Sequence, residues 1–118
     1  MSKTVNQLVK DVENFCSTRD WKNDDPNQLI SSILIELGEL AEHYQWTSKF
    51  KDYSGEDKKE IGYEIVDVLF YLLRLAGKSG IDVEKAFSDK LQKLEAKYPV
   101  GSDWKTQHYS YRSARKNK

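Results

Sequence analysis

Two pairs of carboxylates sit inside the two most apolar stretches of this chain. Glu36 and Glu39 fall within Ile33–Leu40, and Glu64 and Asp67 within Ile61–Phe70. Each pair is spaced i, i+3, so on a helix both acids share one face, where like charges repel. Burying such charges unpaired is costly. Four carboxylates facing one another across two helices, with no lysine or arginine beside them in sequence, suit a hard divalent cation. Mg²⁺ is the expected ion, with Mn²⁺ able to take its place, because oxygen-only ligands favour such metals.

Three readings of the quartet compete. Solvated helix faces would suit Glu42 and Glu60, but Asp67 is a weak helix former set inside Ile65–Leu73, which argues against that reading for the quartet. A di-iron carboxylate bundle needs two Glu-x-x-His motifs and two further glutamates. Here His43 follows Glu39 at i+4, and the only other histidine is His108. That places His43 at the surface or behind the ligands. The third reading is a Mg²⁺ site for a phosphate substrate, with spare carboxylate capacity to orient or deprotonate a water. No glycine-rich phosphate loop with Lys-Ser/Thr is present, so a P-loop enzyme is excluded. Cations for the outer phosphates must then come from side chains such as Arg74, Lys78, Lys90, Lys93 or Lys97. Trp21, Trp46 and Tyr71 flank the acidic segments and could form a stacking slot for a nucleobase.

Four helices are expected to position these groups, and no strand-period alternation stands out, so the fold class is all-α. Thr4 and Gln7 form a capping box for a helix over Val5 to Thr18, whose apolar stripe is Val5, Leu8, Val9, Val12, Phe15 and Cys16. Asp25, Pro26 and Gln28 open a second helix running to about Trp46, as N-cap, N1 and N3. Its main apolar stripe is Leu29, Ile30, Ile33, Leu34, Leu37 and Ala41, with Glu36, Glu39 and His43 on another face. Ser54 and Asp57 start a third helix, which Gly77 and Gly80 end. On it Glu60, Glu64, Asp67 and Tyr71 fall within about 60° of one another. Most of its remaining circumference is apolar, which predicts a subunit interface as well as a core. Asp82 caps a fourth helix, stopped by Pro99.

The bulk numbers narrow the class further. At 118 residues the chain is one domain, read as residues 1–100 followed by a polar, basic tail over 101–118. The net charge is zero, so nothing in composition calls for a nucleic-acid polymer or an anionic membrane as partner. One cysteine excludes an intrachain disulfide. No apolar run approaches the length of a membrane span, and no uninterrupted apolar segment opens the chain, so a cytoplasmic location is expected.

Glu36-x-x-Glu39, a gap of 24 residues and Glu64-x-x-Asp67 resemble the signature of the MazG-like all-α nucleotide pyrophosphohydrolases. Phe15-x-x-x-Arg19-Asp20-Trp21, Pro26-x-x-Leu29, Tyr44-Gln45-Trp46, Asp67-x-x-x-Tyr71 and Lys97-Tyr98-Pro99 fall in the order of its dCTP pyrophosphatase branch, over roughly Val5 to Val100. The resemblance implies a four-helix MazG-like bundle, assembled as a dimer or dimer of dimers. It implies Mg²⁺-dependent hydrolysis of a nucleoside triphosphate to monophosphate and diphosphate. Glu36, Glu39, Glu64 and Asp67 would be the metal ligands and catalytic acids, and Trp21, Trp46, Tyr71 and Lys97 would bind substrate. Two departures weaken the implied preference for dCTP. Cytosine-preferring members place a histidine in helix 1 and an asparagine late in helix 4, where this chain has Val12 and Leu94. The loop after Trp21 is also slightly shorter and lacks a histidine usual there. A site without polar partners for the base edge discriminates weakly. Related helical hydrolases of dUTP or phosphoribosyl-ATP, and a catalytically silent helical dimer, are the alternatives.

Overall fold

The computed structural model describes residues 2–21, 24–50, 53–101, 103 and 105. Four helices and no strand occur among them: α1 Val5–Ser17, α2 Pro26–Glu42, α3 Gly55–Lys78 and α4 Val83–Lys97. The expected all-helical class is therefore observed. The chain divides into two compact units, Met1–Asp82 and Val83–Lys118. Of the basic tail expected over 101–118, all but residues 101, 103 and 105 lies outside the described residues.

In the first unit α1 and α2 both pack on α3. The predicted caps open the helices. Thr4 Oγ1 accepts the Gln7 N–H while Gln7 Oε1 accepts the Thr4 N–H. Asp25 and Gln28 do the same for α2, with Pro26 at N1. Ser54 Oγ accepts the Asp57 N–H at the start of α3. These bonds satisfy donors that a helix N-terminus otherwise leaves open.

α2 ends at Glu42, four residues before the expected Trp46. Beyond it the N–H groups of His43, Tyr44 and Thr47 each bond to the carbonyl three residues back, a tightening that unwinds the α-helix. Gly80 ends α3 with φ +67°, and Ile81 N–H bonds to Ala76 O while Gly80 N–H bonds to Gly77 O. That is the Schellman pattern. Gly77 does not end the helix. It lies within α3 where α1 approaches, and a Cβ there would meet Glu13 Oε1 and, at 3.2 Å, Val9 Cγ1.

The core is small. Val9, Val12 and Cys16 of α1, Leu29 of α2 and Ile61 and Leu73 of α3 are the buried apolar side chains among the described residues. The stripe expected to bury α2 is mostly open, since Ile30, Leu34 and Leu37 are exposed along with Ile35. Instead the more buried positions after Leu29 include Ser32, Ile33, Glu36, Leu40 and His43. The acid-bearing side of α2 is thus the one turned toward its neighbour. On α3, Ile65, Val66, Leu69 and Leu72 are also exposed.

In the second unit α4 follows Asp82 directly and ends two residues before Pro99, with Tyr98 N–H bonded to Leu94 O. Phe87, Leu91 and Leu94 are exposed on it. No helix among the described residues is long and apolar enough to cross a membrane.

Candidate active site

α2 and α3 run antiparallel, as their side-chain pairs show. Asp24, just before α2, meets Arg74 near the end of α3, whereas His43, just after α2, meets Glu64 in its middle. Between these two ties lie Glu36, Glu39 and Asp67, and the fourth predicted acid, Glu64, is part of the second tie. The Glu36 carboxyl is held above its ordinary value near 4.5, first by desolvation, then by the negative charge of Glu39 and of Asp67, by a hydrogen bond with Glu39, and by Glu64. A carboxyl raised by charges from its own helix and the facing one marks a cluster held together against repulsion.

His43 Nε2 lies 2.5 Å from Glu64 Oε2, an oxygen shut off from water. A buried carboxylate oxygen calls for a partner, and the His43 imidazole is the one it has here. As they stand, no three His, Cys, Asp or Glu side chains among the described residues converge on one point closely enough to hold an ion. The donor chemistry fits a hard cation, while the side chains are spread rather than drawn in.

One helical turn from the acids on each helix, at Ser32 of α2 and Tyr71 of α3, a cavity of about 480 Å³ opens. Trp21, Phe70 and Tyr71 give it an aromatic side, and Asp24, Gln28, Ser32 and Arg74 a polar one. Cys16 and Leu29, both buried, line it from the core. Its size is that of a small-ligand site. A second, open cavity of about 550 Å³, lined by Lys10, Glu13, Lys78 and neighbours along α1 and the last turns of α3, has no aromatic wall.

Trp21 is set by the way α1 ends. Asp20 takes φ +59°, in the left-handed region that aspartate tolerates better than most residues. Trp21 N–H then bonds to Cys16 O at 2.9 Å and Asp20 N–H to Ser17 O, a second Schellman turn built without glycine. The Trp21 ring packs edge-on against Phe15, Phe15 against Phe70, and Phe70 against Tyr71, with centroids 5.5–5.8 Å apart. Such spacings favour edge-to-face contact.

Arg74 locks this wall from the other side. Only 6% exposed, it donates from Nε to Asp24 Oδ2 at 3.0 Å and from Nη2 to the Trp21 carbonyl. It is therefore a buried clamp, not the free phosphate-binding cation expected of it.

Glu39, Asp67 and Glu64 lie near enough to act on the Glu36 carboxyl, and Trp21 and Tyr71 line one cavity. The structure does not bring Trp46 there: that ring is 90% exposed beyond the end of α2. Lys97 closes α4 in the second unit, its ammonium 5.1 Å from the Tyr98 ring centroid. Val12 is buried in the core. Gln28, Ser32 and Asp24 give no sign of a site role in the sequence, because each fits a local structural one, Gln28 as a cap above all.

Comparison with known proteins agrees with this geometry. Residues 31–111 match the MazG-like family. Proteins named dCTP pyrophosphatase 1 from Rattus norvegicus and Homo sapiens are 32% and 31% identical over 91 residues. Each match covers 73% of this chain and 54% of the relative, so the chain spans about half the length of the curated relatives it matches. A pyrophosphatase of known structure from Archaeoglobus fulgidus DSM 4304 superposes with a TM-score of 0.66 at 34% identity, covering 84% of this chain and 95% of that one. The acid quartet lies inside the matched segment 31–111, and the chain belongs to the MazG-like family.

Proposed function

We propose that this chain is a nucleoside triphosphate pyrophosphohydrolase, converting a (d)NTP and water to the (d)NMP and diphosphate. The observation that carries this reading is the adjacency of the acid quartet to the cavity lined by Trp21 and Tyr71. Glu36, Glu39, Glu64 and Asp67 are the residues that would hold Mg²⁺ or Mn²⁺; the mutual repulsion of these acids at Glu36 supports that assignment. Such an ion, when bound, screens the polyphosphate charge and polarises the phosphoryl oxygens.

The remaining work falls to the protein. A carboxylate of the quartet not engaged by the cation orients a water and takes its proton as the water oxygen attacks the α-phosphorus. The bond from that phosphorus to the α–β bridging oxygen breaks, and diphosphate leaves. Trp21 and Tyr71 hold the base one helical turn away, so the α-phosphate is aligned over the acids. The names of the relatives support dCTP or a similar nucleotide as substrate. The exposed apolar sides of α2 and α3 support self-association as a homodimer or homotetramer. The expected partners are then the nucleotide and further copies of the chain, in a cytoplasmic house-cleaning role.

Product analysis tests the reading. The protein is incubated with a panel of nucleoside triphosphates, dUTP included, with Mg²⁺ or with chelator, and products are resolved by ion exchange. Monophosphate plus diphosphate, formed only with metal, is the expected result. Nucleoside diphosphate plus inorganic phosphate would place the cut at the wrong bond. No turnover of any triphosphate would favour a substrate such as phosphoribosyl-ATP, or a silent binding module.

A further inference from the structure

The aromatic and apolar parts of the Trp21 cavity can grip any base, because every base has a π-face. Selection must come from a polar group of fixed polarity that is not already engaged. Trp21 and Tyr71 carry an N–H and a hydroxyl in the planes of their rings, away from a base stacked on their faces, and four further polar side chains line the cavity. Arg74 is committed through Nε to Asp24 and through Nη2 to the Trp21 carbonyl. Asp24 is neutralised by that same contact. Ser32 carries a hydroxyl that can rotate to donate or accept, so it fits either kind of base edge.

Gln28 differs from these three. Its Oε1 accepts the Asp25 N–H at 3.2 Å in the α2 capping box. An N–H can be met only by the carbonyl end of an amide, so the cap fixes which way the amide faces. The Nε2 group is left over, and among the described residues it has no hydrogen-bond partner. The side chain thus keeps its carbonyl end on the cap and leaves two N–H donors free, from a position on the cavity wall.

We propose that Gln28 determines base preference, its Nε2 donating to an exocyclic carbonyl oxygen of a nucleobase lodged beside Trp21 and Tyr71. Cytosine, uracil, thymine and guanine each carry such an oxygen. Adenine carries an amino group in its place, which would leave donor facing donor. This assignment rests on the reading of the chain as a nucleotide hydrolase. It also supplies from α2 the polar base-edge partner that Val12 and Leu94 do not provide.

The test uses a substitution that keeps the cap. Gln28→Glu retains a carboxylate oxygen for the Asp25 N–H, glutamate being the favoured third residue of a capping box. It replaces the Nε2 donors by an acceptor. Relative kcat/KM is measured for dATP, dCTP, dGTP and TTP in the native chain and the variant. The native chain is expected to disfavour dATP by about tenfold against the best carbonyl-bearing substrate, the ratio one neutral hydrogen bond supplies. In Gln28→Glu that ratio should shrink to unity or invert, whereas added negative charge alone would lower all four values together. Gln28→Met, which offers no polar group, should bring the ratio to unity. Ratios unchanged in both variants would overturn the assignment.

Calorimetric binding of the four deoxynucleoside monophosphates, which cannot be turned over, separates this proposal from the reaction itself. Discrimination against dAMP that disappears in Gln28→Glu supports the contact even if no triphosphate is hydrolysed. Equal binding of all four by the native chain refutes it even if hydrolysis is efficient.

Discussion

The Arg74–Asp24 pair yields a prediction that runs against the usual expectation that removing the more buried residue costs more. Arg74 is 6% exposed, whereas the Asp24 side chain is 32% exposed. Removing Asp24 strands a buried guanidinium, a change that costs about 3–5 kcal/mol at a fully buried pair. Partial exposure of Asp24 and the surviving bond to the Trp21 carbonyl reduce this to about 2 kcal/mol for Asp24→Ala, the range of one charge-assisted hydrogen bond. Arg74→Met removes the charge itself. It fills a similar volume and leaves an aspartate that water can reach, so it should cost only about 1 kcal/mol. For a chain of this size, 1 kcal/mol moves Tm by roughly 4–5 °C. Asp24→Ala should therefore melt roughly 10 °C below the native chain, and Arg74→Met about half as far below. Circular dichroism melts at one fixed protein concentration check this, concentration being held because self-association shifts Tm. Arg74→Met melting below Asp24→Ala, or both melting with the native chain, would refute the clamp.

Other expectations follow from the acids and from Gly77. Because the Glu36 carboxyl is raised in the fold, its contribution to stability is fully present below its ordinary value near 4.5 and is lost as pH rises through its folded value. Glu36→Gln should therefore raise Tm in chelator at neutral pH and flatten the fall in Tm as pH climbs from about 4.5. Titrating Mg²⁺ or Mn²⁺ into the native chain should raise Tm with the logarithm of metal concentration, and Asp67→Ala should abolish both that rise and triphosphate turnover while leaving the helical spectrum intact. A Cβ at Gly77 would press on Val9, which is buried, and on the movable end of Glu13. Gly77→Val should lower unfolding free energy in urea by about 1–3 kcal/mol, the usual cost of overfilling a packed contact.

The helices were legible because their signals are local. Thr4 with Gln7, Asp25 with Pro26 and Gln28, and Ser54 with Asp57 each meet within one turn, and each cap forms as expected. The acid quartet was legible for the same reason, since acids at i, i+3 inside apolar runs are costly unless something positive lies between them. Legibility ended where a residue's partner is distant in sequence. Arg74 reads as a free cation because Asp24 lies 50 positions away. The Leu29–Ala41 stripe reads as a core face because periodicity reveals that a side is apolar, not what covers it. Trp46 is lost to the cavity because α2 unwinds four residues early. Gln28 is hidden by its own cap, which accounts for one end of the amide and says nothing of the other.

Trp21 is held at both of its main-chain polar groups, the N–H by Cys16 and the carbonyl by Arg74. Its ring is therefore hung on a frame that is already ordered before anything binds. Ligand association then gives up little backbone freedom at this wall, so its entropy change should be dominated by released water and not by chain ordering. A base arriving there meets a preorganised surface, and the affinity of the site should be set by how well the ring and the base match, with little loss to folding the wall around them.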